Sequence, residues 1–314
     1  MTHLAIVPDP ATHERAGYIG GSTVAAILGI SPWRSPVEAW LAITGRARDD
    51  RGTAATRRGL RAEGYILDWY AEQTGARLHR NQFCRHPLFP HHAGHLDAIE
   101  PAADDKQPPQ RVIEAKTARL ADKAKWGAPL TDEVPLYYLT QCLWYHHVVQ
   151  PVEGSEIAVA FSLDDVARYI IPRNADMEGV IAERVESWWQ RHVIDDVPPP
   201  LFAPGDAAAL YRTDSGTRRM ATPEEWRNLR DLVDARRELD AAQARVEAYE
   251  DRVKTDMADA AALLDPATGD AVVSWRNATR TTLDIDRLRR EQPALAKTYS
   301  RETISRTFRL HIKE

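Results

Sequence analysis

The chain has 314 residues, a size that suits one large domain or two modest ones with a sizeable core. Its 43% hydrophobic and 28% charged content is that of a globular protein, not a disordered or fibrous one, and no apolar run reaches the length of a membrane span. A net charge of −5 gives no global basic signature, so a nucleic-acid contact would need a local positive field in a cleft or channel.

Residues 1–14 read as a loose leader. Met1 to Pro10 has neither the basic start nor the long apolar core of a secretory signal. Arg15-Ala-Gly-Tyr-Ile-Gly-Gly-Ser22 precedes a short helix over Thr23-Val-Ala-Ala-Ile-Leu-Gly29, with Ser22 as its expected N-cap and Gly29 as its C-cap. A helix N-terminus with a serine hydroxyl and a nearby arginine suits a phosphate, but on local sequence alone an ordinary capped helix accounts for it. A second helix starts near Ser35-Pro36 and stops at Thr44-Gly45. A third runs from about Thr56 to Gln73, with Leu60, Tyr65, Ile66, Trp69 and Tyr70 as its expected buried stripe. Glu63 lies in that helix's first half, where a solvated residue is the common case.

His79, His86, His91, His92 and His95 crowd the next segment. His92-x-x-His95 invites zinc, but no second pair follows at a structural-zinc spacing, so polar loop residues leading into a strand are the reading. The two cysteines, Cys84 and Cys142, are too few for a disulfide framework or a four-cysteine metal site, and a reducing cytoplasm is the simplest setting.

Two apolar runs then bracket a turn-forming stretch. Gly94-His-Leu-Asp97-Ala-Ile leads into Pro101 to Gln110, which is polar and proline-bearing, and Arg111-Val-Ile-Glu114-Ala-Lys116 follows. Together they predict an antiparallel hairpin. Alternation puts Glu114 and Lys116 on one face, with Asp97 able to face them from the neighbouring strand. Two carboxylates can hold Mg²⁺, and a lysine beside them can orient a water or balance phosphate charge, which is the set that phosphodiester hydrolysis needs. A surface ion pair between Glu114 and Lys116 is the plain alternative.

Pro135 to Tyr145 predicts an apolar helix with Gln141 inside it, and a buried glutamine needs partners. Strands are expected at Glu156–Phe161 and Ala167–Pro172, and a helix at Asn174–Val193. Asp195 to Asp206 is a proline-rich link, which divides the chain into residues 1–200 and 201–314. Thr222-Pro-Glu-Glu225 starts a long helix to about Leu264. Its Leu239, Ala242, Val246, Tyr249 and Val253 recur at coiled-coil spacing. A strand at Ala271–Trp275, a helix at Asp284–Lys297 and a basic strand at Thr303–Ile312 complete the chain.

Glu63 on a helix, Asp97 on a strand, Glu114-x-Lys116 on the next strand and Gln141 on a following helix form an ordered set. This set resembles the PD-(D/E)xK nucleases, and more narrowly the YqaJ-type viral recombinases, the family of bacteriophage lambda exonuclease. Ile19-Gly-Gly-Ser22, the helix around Glu63, Gly94 to Lys116 and Pro135 to Gln141 carry the likeness, strongest over residues 15–145. The resemblance implies a mixed α/β (α+β) fold with a restriction-endonuclease-like core sheet flanked by helices, to which a long helical arm over 222–264 and a small β extension are added.

It also implies Mg²⁺-dependent 5′-to-3′ digestion of one strand of linear double-stranded DNA, leaving 3′ single-stranded tails for phage-type recombination. Asp97, Glu114 and the Ala115 carbonyl would hold the metal, and Glu63 would serve a second ion or its water. Mn²⁺ would substitute for Mg²⁺. Lys116 would position the attacking water, Gln141 would support the site, and Arg15, Ser22 and Tyr138 would meet the 5′ phosphate and DNA. Double-stranded DNA ends and a single-strand annealing protein are the implied partners, in the cytoplasm of a bacterial host, with no membrane. A homo-oligomer stays open, because the helical arm is foreign to the lambda-type ring trimer. Two alternatives remain: an endonuclease of the same fold, and a non-enzymatic DNA-end-binding module. The branch that carries an iron–sulfur cluster needs four cysteines and is disfavoured.

Overall fold

A computed structural model describes residues 5–6, 17–47, 54–102, 109–300 and 306–311. The chain divides into two compact units, Met1–Arg212 and Thr213–Glu314. The first is built on a six-stranded sheet in the order β1-β2-β3-β4-β5-β6: β1 (Ala5–Ile6), β2 (His79–Arg85), β3 (Ala93–Glu100), β4 (Arg111–Thr117), β5 (Gly154–Ala160) and β6 (Val166–Pro172). All neighbours are antiparallel except β4 and β5, which run parallel. A parallel pair needs a crossover, and here α4 (Leu136–Val148) lies between the two strands in sequence.

Helices cover both faces. α3 (Ala54–Thr74) packs Ile66, Leu67 and Tyr70 against Ala98, Ile113, Ala158 and Ala160. On the other face α1 (Gly21–Ile27), α4 and α5 (Ala175–Trp189) share a core with Leu96, Ile99 and Val112. Alternation on β4 sorts these contacts: Val112 faces α1, α4 and α5, and Ile113 faces α3. Each fully buried aliphatic residue contributes roughly 1.5–3 kcal/mol, so the central strand is anchored on both sides just before Glu114.

The stripe of α3 differs from its expected form. Ile66 and Tyr70 are buried and Trp69 is half-buried, but Leu60 and Tyr65 are exposed. Tyr65 instead donates its hydroxyl to the Leu163 carbonyl. Ala62, Ile66 and Tyr70 recur every four residues and Leu67 completes their face, which leaves Tyr65 off it. Ser22 is also not the cap of α1. Gly20 holds the extended N-cap position and Ser22 sits exposed in the first turn.

The proline-rich link stays on the first unit up to Arg212. α6 (Asp206–Leu210) packs beside α2 (Pro36–Ile43). The buried Asp206 carboxylate accepts from Ser35 Oγ at 2.5 Å and from the Phe202 and Ala203 N–H groups at 2.8 Å each. Phe202 lies over Gly29, whose φ of +71° favours glycine and on which a Cβ would lie 3.1 Å from that ring.

The second unit holds α7 (Pro223–Met257), a hairpin of β7 (Ala262–Leu264) and β8 (Ala271–Ser274), α8 (Ile285–Glu291) and α9 (Pro293–Thr298). Thr222 and Glu225 form the capping box. The long helix ends at Met257, short of Leu264, because Ala258 turns into positive φ and the chain goes on to pair as β7. The helix expected over 284–297 is two, broken at Gln292 by the following Pro293. No strand is formed over the described residues 306–311. No helix of the described residues is long and apolar enough to cross a membrane.

Candidate active site

The hairpin places Asp97 and Glu114 as alternation predicts. The β3–β4 ladder pairs Glu100 with Arg111, Ile99 with Val112 and Ala98 with Ile113. Beyond it the Asp97 side chain takes over: its Oδ2 accepts from the Ala115 N–H at 2.8 Å. A carboxylate thereby occupies the place of a ladder partner and is locked against β4. Glu114 is 2% exposed, and Lys116 donates from Nζ to its Oε1. Gln141 Nε2 donates to the same oxygen at 2.5 Å. The second oxygen, Glu114 Oε2, is buried with no hydrogen-bond partner. Such an atom normally finds a partner, so it has a free lone pair directed into the site.

Burial raises the pKa of three carboxylates here, and the Asp97 charge adds to the rise of the other two. Burial and the Asp97 charge push Glu114 up to about 8, against the pull of Lys116 and Gln141. Burial also raises Asp97, although Lys116 and the Ala115 N–H oppose it. Glu63 on α3 is half-buried and raised by burial and by Asp97, with Lys116 and Arg80 acting the other way. Lys116 shows the reverse balance. Burial works against its charge, but Glu114 and Asp97 outweigh it and hold the ammonium above its ordinary range. Lys116 is therefore a cation that donates hydrogen bonds, not a base. Its Nζ lies 5.2 Å from the Tyr138 ring centroid, which adds a cation–π contact.

A divalent cation fits this donor set. Oxygen ligands suit Mg²⁺, and a cation beside Glu114 Oε2 would satisfy the orphaned atom while offsetting the burial that raises all three carboxylates and the Asp97 charge that adds to it at Glu114 and Glu63.

α4 supplies the support. Gln141 donates to Glu114 and, at 2.8 Å, to the Tyr145 hydroxyl, which in turn donates to the His95 carbonyl at 2.9 Å. The Tyr145 ring fills the space left by two glycines. A Cβ on Gly21 would lie 2.5 Å from Tyr145 Cε1, and one on Gly94 would lie 3.0 Å from the ring. The entry to α1, the start of β3 and the Glu114 carboxylate are thus coupled through one tyrosine. Tyr145 was not among the residues expected to serve the site, and its signal was the pair of glycines at positions 21 and 94.

Residues 12–151 match the YqaJ-like viral recombinase domain. The likeness to that domain therefore takes in all four strands and helices that carry the site. Over 303 residues the chain is also 21% identical to an uncharacterized protein, YqaJ, of Bacillus subtilis (strain 168), covering 94% of this chain and 91% of that protein. Among solved structures, an alkaline exonuclease from Laribacter hongkongensis matches 58% of this chain and 90% of its own, with a TM-score of 0.46 and 16% identity. A phage-related exonuclease from Haemophilus somnus 129PT matches 57% of this chain and 96% of its own, with a TM-score of 0.42 and 15% identity.

The matched stretch encloses Glu63, Asp97, Glu114, Ala115, Lys116, Tyr138 and Gln141, and the structure brings these seven together from α3, β3, β4 and α4. Arg15 lies outside the described residues, and Ser22 is exposed at the start of α1. The histidines of the domain do not form the pair that His92-x-x-His95 suggests. His92 is buried and His95 is exposed beside Tyr18, whose hydroxyl is 2.9 Å from its Nε2. His92 meets His147 instead, Nδ1 to Nε2 at 3.0 Å.

Proposed function

We propose that the YqaJ-like domain is a metal-dependent deoxyribonuclease that digests linear double-stranded DNA from its ends, 5′ to 3′, and leaves 3′ single-stranded tails for recombination. The observation that carries the reading is the buried, partnerless Glu114 Oε2 beside Asp97 and the Lys116 cation. Leaving a buried carboxylate oxygen without a partner costs about 1–3 kcal/mol, which a bound cation would recover.

Asp97, Glu114 and the Ala115 carbonyl would hold a Mg²⁺ ion, with Mn²⁺ as a substitute, and Glu63 would serve a second ion. When bound, such an ion supplies Lewis acidity toward the phosphate and a water acidic enough to attack at neutral pH. The side chains divide the remaining work. Lys116 orients the attacking water and balances charge on the phosphate. Gln141 holds the Glu114 carboxylate in place, and Tyr145 holds Gln141. Tyr138, half-buried against Lys116, borders the DNA path. The segment entering α1, with Arg15 and Ser22, is assigned to the 5′ phosphate.

The partners that fit this reading are DNA ends and a single-strand annealing protein that loads on the tails. Two buried free thiols, Cys84 and Cys142, suit the reducing cytoplasm of a bacterial host. The test of polarity uses linear duplexes labelled at either end of one strand, with a 5′ phosphate or a 5′ hydroxyl. Loss of the 5′ label first, faster with the phosphate and slowed at least tenfold in Ser22→Ala only on the phosphorylated duplex, is the expected result. Release of the 3′ label first would reverse the assignment.

A further inference from the structure

We propose that His91, His92 and Glu186 form a second metal site, separate from the carboxylates of the hairpin, which takes a divalent transition-metal ion of the zinc class and fastens the turn between β2 and β3 to α5. One ligand atom from each residue lies within 4.8 Å of the others. His91 Nε2 is 2.7 Å from Glu186 Oε2, and His92 Nε2 is 3.1 Å from the same oxygen. Tetrahedral zinc with bonds of about 2.0–2.2 Å sets its ligand atoms roughly 3.4 Å apart, so side-chain shifts of less than about 1 Å open both carboxylate contacts to admit the ion.

The independent observation is His92 itself. It is 1% exposed, and its Nε2 lies 3.1 Å from Glu186 Oε2 yet makes no hydrogen bond. Its other nitrogen is committed to His147 Nε2 at 3.0 Å. An outer partner of this kind orients a metal-bound imidazole and leaves the inner lone pair free. With the proton on Nδ1, Nε2 keeps its lone pair beside a carboxylate oxygen 3.1 Å away, and a cation shared by the two would engage both. His86 is excluded as a ligand, because its Nδ1 already accepts the Leu88 and Phe89 N–H groups. Two imidazoles and one carboxylate favour zinc, nickel or cobalt over magnesium, and leave a fourth position for water.

The place of the site gives it a consequence. The His91 carbonyl accepts the Ile19 N–H at 2.7 Å, and the Ile19 carbonyl accepts the Ala93 N–H at 3.0 Å. Ile19 directly precedes Gly20-Gly21, where α1 begins. An ion held by His91 and Glu186 would therefore steady the segment that enters α1 as well as the turn. The His91 ring already stacks on Trp189 at 4.4 Å, so α5 is built to receive it.

The experiment strips the full-length protein with chelator and follows thermal unfolding with Zn²⁺ or Mg²⁺ added, together with the visible ligand-field band of added Co²⁺. Four proteins are compared: wild type, His91→Ala, Glu186→Ala and Asp97→Asn. Both alanine variants truncate partly exposed side chains, and their melting without metal reports whether they fold. The expected result is a Zn²⁺-induced rise of roughly 5–10 °C at a free concentration about a hundred times Kd. The rise and the Co²⁺ band would be present in wild type and Asp97→Asn and lost in both alanine variants, and Mg²⁺ would not reproduce the rise. No Zn²⁺ shift in wild type, an undiminished shift in the alanine variants, or a shift lost only in Asp97→Asn would each overturn the proposal. The last outcome would place the ion on the hairpin carboxylates.

Discussion

Glu114 gathers two donors on one oxygen and none on the other, and that asymmetry has a measurable consequence. In the unfolded chain its carboxyl ionises near 4.5, whereas in the folded site it ionises at about 8. Between those values the unfolded chain gives up the proton and the folded protein keeps it. The contribution of Glu114 to stability is therefore fully present below pH 4.5 and lost as pH rises through about 8. In chelator, urea unfolding of wild type from pH 5 to 8 is expected to lose this contribution, and Glu114→Gln is expected to lack that part of the slope. Mg²⁺ competes with the proton, so its stabilisation of wild type should grow with pH over the same window. Parallel profiles for wild type and Glu114→Gln would contradict the assignment. The pairing of Glu114 with Lys116, and of both with Asp97, was legible in the sequence because strand alternation fixes which side chains share a face. The orphaned oxygen was not legible, since it depends on how α4 reaches β4 across the sheet.

At the scale of elements, α1, β3 and α4 meet at the Tyr145 ring. Gly21→Ala would put a Cβ 2.5 Å from that ring, and no small shift of a rigid aromatic absorbs the overlap. Overpacking of this kind costs about 1–3 kcal/mol. The expected outcome is a lower melting temperature together with a lower cleavage rate, because the ring carries the hydroxyl that holds Gln141. Tyr145→Phe separates the two effects. It keeps the ring and removes both hydroxyl contacts, so stability should fall by about 1 kcal/mol while the cleavage rate falls by roughly 10–100-fold. Equal rates in wild type and Tyr145→Phe would leave Gln141 without need of this support. Gln141 itself was legible as a polar residue in an apolar run. α3 was legible as a helix but not in its full stripe: Leu60 shares the azimuth of Leu67 two turns earlier, where it is exposed, and periodicity cannot say where a sheet stops.

Across the whole chain, the sheet, its flanking helices and the site residues all belong to Met1–Arg212. A fragment ending at Arg212 is expected to unfold cooperatively, with a midpoint within a few degrees of the same transition in the full chain. A fragment ending at Pro200 should be weaker, because it strips the Asp206 carboxylate from Ser35 and the Phe202 ring from Gly29. Charge-assisted bonds of this sort contribute roughly 1.5–3 kcal/mol each. Calorimetry of the two fragments tests this, and equal midpoints would show that the segment up to Arg212 adds nothing. Composition alone placed the link at the prolines, but the buried Asp206 extends the first unit past them. The expected seam of α7 stays uncovered in its own unit, with Leu239, Val246 and Tyr249 exposed.

The most direct test of the nuclease reading incubates the purified protein with linear and closed circular duplex DNA, in Mg²⁺ or in chelator, beside Lys116→Ala. Mg²⁺-dependent loss of the linear DNA alone, reduced at least a hundredfold in Lys116→Ala, is the predicted result. Intact linear DNA in Mg²⁺, with binding retained, would reduce the hairpin carboxylates to structure and contradict the account; cutting of the circle would replace end-dependent digestion with endonuclease activity.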